Sequence, residues 1–128
     1  GVHVIHGHSA HILQGIECYH NRVILYDTGD FVDDYAVDPN LRNDLSAFFI
    51  LTVGKPGVMT LKVIPVRIFD NQVNQARQED YQWVIERLNN LSLIFGTHID
   101  EQGEIEVNPT ETNTISSYSK RKKFNSHV

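Results

Sequence analysis

Cysteine occurs once, at Cys18, so no disulfide can form within the chain and the redox compartment leaves no mark on it. Long apolar runs are missing too. The longest spans residues 47–53, far short of the roughly 20 residues that cross a bilayer as a helix. No secretory signal peptide is visible, so the sequence leaves the localisation unknown. Basic residues are scarce outside the end of the chain. Residues 112–128 contain Lys120, Arg121, Lys122 and Lys123 and no acid. The other seven bases face all sixteen acids within residues 1–111, a balance of −9. An acidic body of that kind argues against a nucleic-acid-binding face.

What is present suffices for one folded domain. The chain has 128 residues and is 41% hydrophobic, which is too apolar for a disordered chain and enough for one core. Histidine is concentrated at the start. Four of the seven histidines, His3, His6, His8 and His11, lie within nine positions. Val2, Val4 and Ile5 are β-branched and read as a short buried strand. Gly7 ends it, and His8-Ser9-Ala10-His11 follows just past the strand's carboxyl end, where open α/β sheets place their ligands. Two neutral imidazoles on one short turn can reach one metal centre. Crowding alone does not make ligands, however. The competing reading has His3 and His6 packed or hydrogen-bonded around the strand. His20 and His98 fall at turns and receive no role.

Residues 15–26 read as a β-hairpin around His20-Asn21. Asp27, Asp30, Asp33 and Asp34 then crowd around Gly29, with Phe31 as the expected core anchor of the loop. Such a loop suits cation binding or acid–base work, but equally a solvated acidic surface. Asp38-Pro39-Asn40 signals a turn, and residues 41–46 a polar linker with about one helical turn. Residues 47–53 and 58–69 form a second hairpin across Gly54-Lys55-Pro56-Gly57. Met59, Leu61 and Val63 alternate with polar residues, which predicts one buried face. Pro65 cannot donate to a ladder, so this strand is expected at an edge or bulged. Residues 70–77 read as a polar connection. Tyr81, Val84, Ile85, Leu88, Leu91 and Phe95 recur at helical spacing and predict a long amphipathic helix over about 78–95, with Trp83 at the rim of its apolar face and Gly96 as its stop. Residues 97–100 and 104–107 flank a third, small hairpin. The chain divides into a folded part, 1–108, and a disordered basic tail, 109–128; the tail's Lys/Arg run reads as a solvating segment rather than a targeting signal.

Three blocks carry a family resemblance. Gly7-His8-Ser9-Ala10-His11-Ile12-Leu13-Gln14-Gly15-Ile16-Glu17, the hairpin after it, and Leu25-Tyr26-Asp27-Thr28-Gly29-Asp30-Phe31 match in order and spacing the C-terminal part of the CapA family. Its members are capsule or poly-γ-glutamate biosynthesis proteins of the metallophosphatase (calcineurin-like phosphoesterase) superfamily. They typically carry Gly-x-His-Pro-His-Val-Leu-Gln, a Glu, a hairpin and Tyr-Ser-Leu-Gly-Asn-Phe. The resemblance covers about residues 1–107. It implies an α/β fold, the C-terminal portion of a metallophosphatase-like β-sandwich built from several hairpins and one long helix. It also implies a site with two divalent metals, of which Mn, Zn and Fe are not distinguishable, and leaves room for a polyanionic or phosphorylated substrate. Here His11 carries over best as a ligand. His8 carries over through a one-residue bulge, because two residues separate the histidines where the superfamily has one. His6 or Asp30 is the candidate third.

The superfamily's other ligand motifs would lie upstream of Gly1, so the chain reads as part of a longer protein. Its natural partner is then the N-terminal part of the same domain, and alone it is expected to be inactive. The altered histidine spacing and Asp30, in place of the family's Asn, support an alternative: a non-catalytic binding or scaffold protein that keeps the fold without the metals.

Overall fold

A computed structural model describes residues 1–32 and 36–108. Asp33, Asp34 and the basic tail from residue 109 lie outside the described residues. Within them the chain is mixed α/β, with seven strands in two sheets and one α-helix.

The first sheet holds β1 (Val4–His6), β2 (Ile16–Tyr19) and β3 (Arg22–Leu25) in the order β1-β3-β2. β2 and β3 form the expected antiparallel hairpin. His20 and Asn21 both take positive φ, 46° and 59°, which is the backbone of the two-residue turn whose twist matches the strands. β1 runs parallel to β3, with His6 opposite Leu25. The expectation of a buried first strand is corrected: β1 is an edge strand, and Ile5 is 52% exposed. Its β-branched residues satisfy strand propensity, but among the described residues nothing covers the outer face.

The second sheet is a meander of β4 (Leu45–Gly54), β5 (Gly57–Phe69) and β6 (Gln72–Gln75), with β7 (Glu104–Ile105) also paired to β5. β6 replaces the expected polar connection. Its Gln-Val-Asn-Gln sequence has no apolar alternation because it is an exposed edge, and Asp70-Asn71, again with positive φ at both residues, makes the tight turn into it. Two more expectations change on β5. The register slips at Thr52/Val53, so Val58 and Leu61 face the core while Met59, the extra residue of the bulge, is 55% exposed. Pro65 lies in a central strand rather than at an edge, opposite Ala47. Val63 N–H donates to Gly103 O (2.7 Å), so the backbone nitrogen two residues on points to the same side. That side is where β7 has ended and β6 has not begun, and the missing N–H breaks no ladder bond there.

The helix α1 (Gln78–Ser92) runs into a 3-10 turn (Leu93–Phe95), closed by Gly96 at φ 71°. Val84, Ile85 and Leu88 are buried in one cluster with Leu13, Ile16, Val23 and Leu25 from the first sheet and its loop, and Leu61 and Val63 from the second. The helix therefore seals both sheets. Trp83 does rim this face, with the guanidinium groups of Arg42 and Arg87 5.7 and 5.6 Å from its ring.

Candidate functional site

Because β1 and β3 are parallel neighbours, their carboxyl ends open on the same side of the sheet. The segments that follow, residues 7–14 and 26–30, leave side by side. Gly7 N–H continues the ladder to Leu25 O at 2.8 Å. A Cβ at Gly7 would lie 2.2 Å from Tyr26 O, so only glycine lets the two chains approach this closely. Farther out, Gln14 N–H donates to Asp27 O (3.0 Å), and Leu13 pairs with Thr28 as an isolated bridge.

Asp27 holds the two segments together. Its side chain is buried, and its carboxylate accepts the backbone N–H of Ala10 (2.7 Å) on one segment and of Gly29 (2.9 Å) on the other. Ser46, from β4, donates its hydroxyl to Thr28 O at 2.8 Å, and Arg87 Nε of α1 donates to Leu13 O at 3.1 Å. The pair of loops is thus braced from both sheets and from the helix.

The histidines sit on this braced pair. His6 Nε2 lies 2.9 Å from Thr28 Oγ1. His8 Nδ1 lies 2.6 Å from Ser9 Oγ. His11 Nδ1 lies 2.8 Å from Asp30 Oδ1, with the His11 side chain 68% exposed and the Asp30 side chain 15% exposed. Ser9 and His11 both adopt positive φ, 93° and 60°, a conformation that costs non-glycine residues of order 1–3 kcal/mol. Among the described residues no three His, Cys, Asp or Glu side chains converge on a point that could hold a metal ion. Phe31, expected as a core anchor, is instead 45% exposed and leans on Phe48 of β4, ring centres 6.1 Å apart.

Sequence reasoning placed Asp27 only among the carboxylates of a cation-binding or acid–base loop, not as a brace, and gave no role to Ser46 or Arg87. Asp27 did leave a signal: Asp-x-Gly is an Asx-turn pattern, and Gly29 N–H is the donor. Ser46 and Arg87 left none, since their contacts lie 18 and 74 positions away. Glu17, beside the second block, accepts the Tyr26 hydroxyl at 2.8 Å, and this bond holds the Tyr26 phenol above its usual pKa. Tyr26 also stacks on Phe95 at 5.1 Å.

Comparison with known proteins centres on this same stretch. Residues 1–35 match the family model of the bacterial capsule synthesis protein PGA_cap. Over 105 residues the chain is 32% identical to a probable polyglutamine synthesis accessory protein of Mycobacterium tuberculosis strain CDC 1551 / Oshkosh, and to its counterpart in strain ATCC 25618 / H37Rv. The match takes in 77% of this chain and 27% of each relative, so the chain spans about a quarter of the length of the curated relatives it matches. The histidine loop, the hairpin and the Asp27–Asp30 turn all lie inside the stretch that matches the family model, and there the chain is similar to the CapA-type family of bacterial capsule synthesis proteins.

Proposed function

We propose that this chain supplies part of a divalent-metal, hydrolase-type site of a capsule or poly-γ-glutamate biosynthesis protein, with His8 and His11 as its ligands. The observation that carries the reading is the His11–Asp30 pair. Metal-binding histidines usually donate their second ring N–H to a carboxylate, which fixes the tautomer and aims the other nitrogen. With the proton on Nδ1, His11 donates to Asp30 Oδ1 and offers Nε2 to a metal. Asp30 then serves as the group that orients a ligand, not as the third ligand. His6 is turned to Thr28 and would have to leave that contact to bind.

The donor chemistry fits zinc, manganese or iron, but the described residues do not complete a coordination set. A two-metal hydrolase site activates a bridging water and stabilises charge on the reacting centre. No step of that kind is assigned to this chain alone. The remaining ligands, and the rest of a metallophosphatase-like sandwich, would come from the N-terminal part of the same domain. The exposed outer edge of β1 is a suitable seam for that part.

Calorimetric titration with zinc and manganese tests the reading. The isolated chain should bind weakly, His11→Ala should abolish the heat, and nitrophenyl phosphate should not be hydrolysed. Restoring the upstream sequence should tighten binding to two metals per chain. Titration heats that His8→Ala and His11→Ala leave unchanged would overturn the ligand assignment. A complete protein that binds no metal would favour the alternative, a binding or scaffold protein that keeps the fold. The spacing of two residues between His8 and His11 is the observation behind that alternative.

A further inference from the structure

The histidine turn is held in an uncommon shape. Ser9 and His11 take φ of 93° and 60°, one on each side of Ala10. Left-handed backbone is uncommon for serine and persists only where the surroundings hold it. On the facing segment Gly29 is left-handed as well, at φ 73°. One side chain reaches both segments. Asp27 is 5% exposed; its Oδ2 accepts Ala10 N–H at 2.7 Å and its Oδ1 accepts Gly29 N–H at 2.9 Å. Ala10 immediately precedes His11, and Gly29 immediately precedes Asp30. The two oxygens of one buried carboxylate thus end on the residues just before the two members of the His11–Asp30 pair, whose own contact is 2.8 Å. The His11 side chain is 68% exposed, so packing does little to fix its ring and backbone placement does more.

We infer that Asp27 is a positioning residue: it places His11 against Asp30, and so decides which ring nitrogen of His11 carries the proton. An ionised carboxylate can only accept, so a ring bonded to Asp30 through Nδ1 keeps its proton on that nitrogen. Nε2 is then left unprotonated on the far side of the ring. In a neutral imidazole the hydrogen bond at one nitrogen selects the tautomer, and without it both are populated. Asp27 touches neither ring nitrogen and acts through the two backbone amides alone. Such charge-assisted bonds are short and roughly twice as strong as neutral ones. An amide in that place would offer a single accepting oxygen, and its NH2 group would face the second N–H. The consequence for metal rests on the reading of His11 as a ligand: a ring already in the correct tautomer binds without first reorienting.

The test compares the native chain with Asp27→Asn, an isosteric change, first with chelator present so that no metal takes part. Ring nitrogen shifts in long-range proton–nitrogen spectra, at a pH where imidazole is neutral, report the His11 tautomer. The native ring should carry its proton on Nδ1. Asp27→Asn should return it to a mixture and speed amide exchange at Ala10 and Gly29. Leu88→Ala controls for stability: it loosens the core and should leave the His11 ring shifts in place. If Asp27→Asn does not fold, the native chain decides alone, since its Ala10 and Gly29 amides should exchange more slowly than unprotected peptide amides. Zinc titration follows. Asp27→Asn should weaken binding about tenfold, the low end of the loss when a ligand's orienting partner goes. A native chain that takes up no zinc, but whose His11 tautomer still responds to Asp27→Asn, would remove the ligand reading and support the positioning role. A tautomer indifferent to Asp27→Asn, an equal change in Leu88→Ala, or unprotected Ala10 and Gly29 amides in the native chain would overturn the inference.

Discussion

Cys18 sits on β2 against the core, its backbone N–H bonded to Thr97 Oγ1 at 3.3 Å. Burial pushes its thiol up to about 11 from an ordinary value of 9.0, with the Glu17 charge adding to the rise and the Thr97 hydroxyl opposing it. Labelling of the native chain by a thiol reagent near pH 8 should be far slower than labelling in denaturant. The same shift sets a pH dependence. An acid kept neutral by folding loses protons first in the unfolded chain, so stability is intact below about pH 9 and falls between about 9 and 11. Tyr26 and Tyr81 are also raised and act with the same sign at still higher pH. Urea midpoints of the native chain and of Cys18→Ala, compared across that window, isolate the thiol: the variant should show the shallower decline. Residue-scale features of this kind divide sharply in how readable they were. Gly7, Gly29 and the Asn21 turn are announced by residue type, because positive φ or a close approach narrows the choice. Ser9 is not, since serine is not a residue that left-handed backbone favours, and its strain shows only in the structure.

At the scale of elements, the helix shows what periodicity conveys and what it omits. The spacing of Val84, Ile85 and Leu88 located α1 and its buried face, and Gly96 its end, although Leu93–Phe95 tightens into a 3-10 turn. What spacing could not convey is that the helix reaches the first sheet through a polar bond. Ser92 is fully buried, and its Oγ accepts Ile16 N–H at 2.9 Å, the first residue of β2. Ser92→Ala removes a single oxygen but strands that N–H in the core, at a cost of about 1–3 kcal/mol. Leu88→Ala, at 0% exposure, should cost about 2–5 kcal/mol through lost burial and a cavity. Denaturation midpoints check both. Hydrogen exchange separates them: Ser92→Ala should speed exchange at Ile16 specifically, whereas Leu88→Ala should loosen both sheets together. The strands were harder to read than the helix for the same physical reason. A bulge at Met59 or an uncovered edge such as β6 breaks the two-residue period without changing composition.

For the molecule as a whole, the open strand edges matter most. β4 is ten residues long, carries no charge and no proline, and among the described residues pairs with a neighbour on one side alone. Phe48, Ile50 and Val53 are 49, 44 and 54% exposed along it, with Phe31 beside Phe48. Edge strands in stable monomers are usually guarded by lysine, proline or a bulge that turns the edge away. Here the irregularity lies at the far end, next to the Gly54 turn, and leaves the Leu45–Leu51 stretch in unbroken register. The edge is self-complementary in the antiparallel sense, because an uncharged strand laid against its own copy meets no like charge. Purified chain should therefore self-associate reversibly as its concentration rises, as read by sedimentation velocity. Ile50→Lys should suppress that association. Because Ile50 is nearly half exposed, the variant should change the denaturation midpoint little. A chain that stays monomeric at every concentration, or an Ile50→Lys variant that associates as before, would show that this edge is not the contact. Extending the chain upstream, toward the full length of its relatives, then tests whether the edge has a cover: if the added sequence pairs with β4, association should disappear without any substitution.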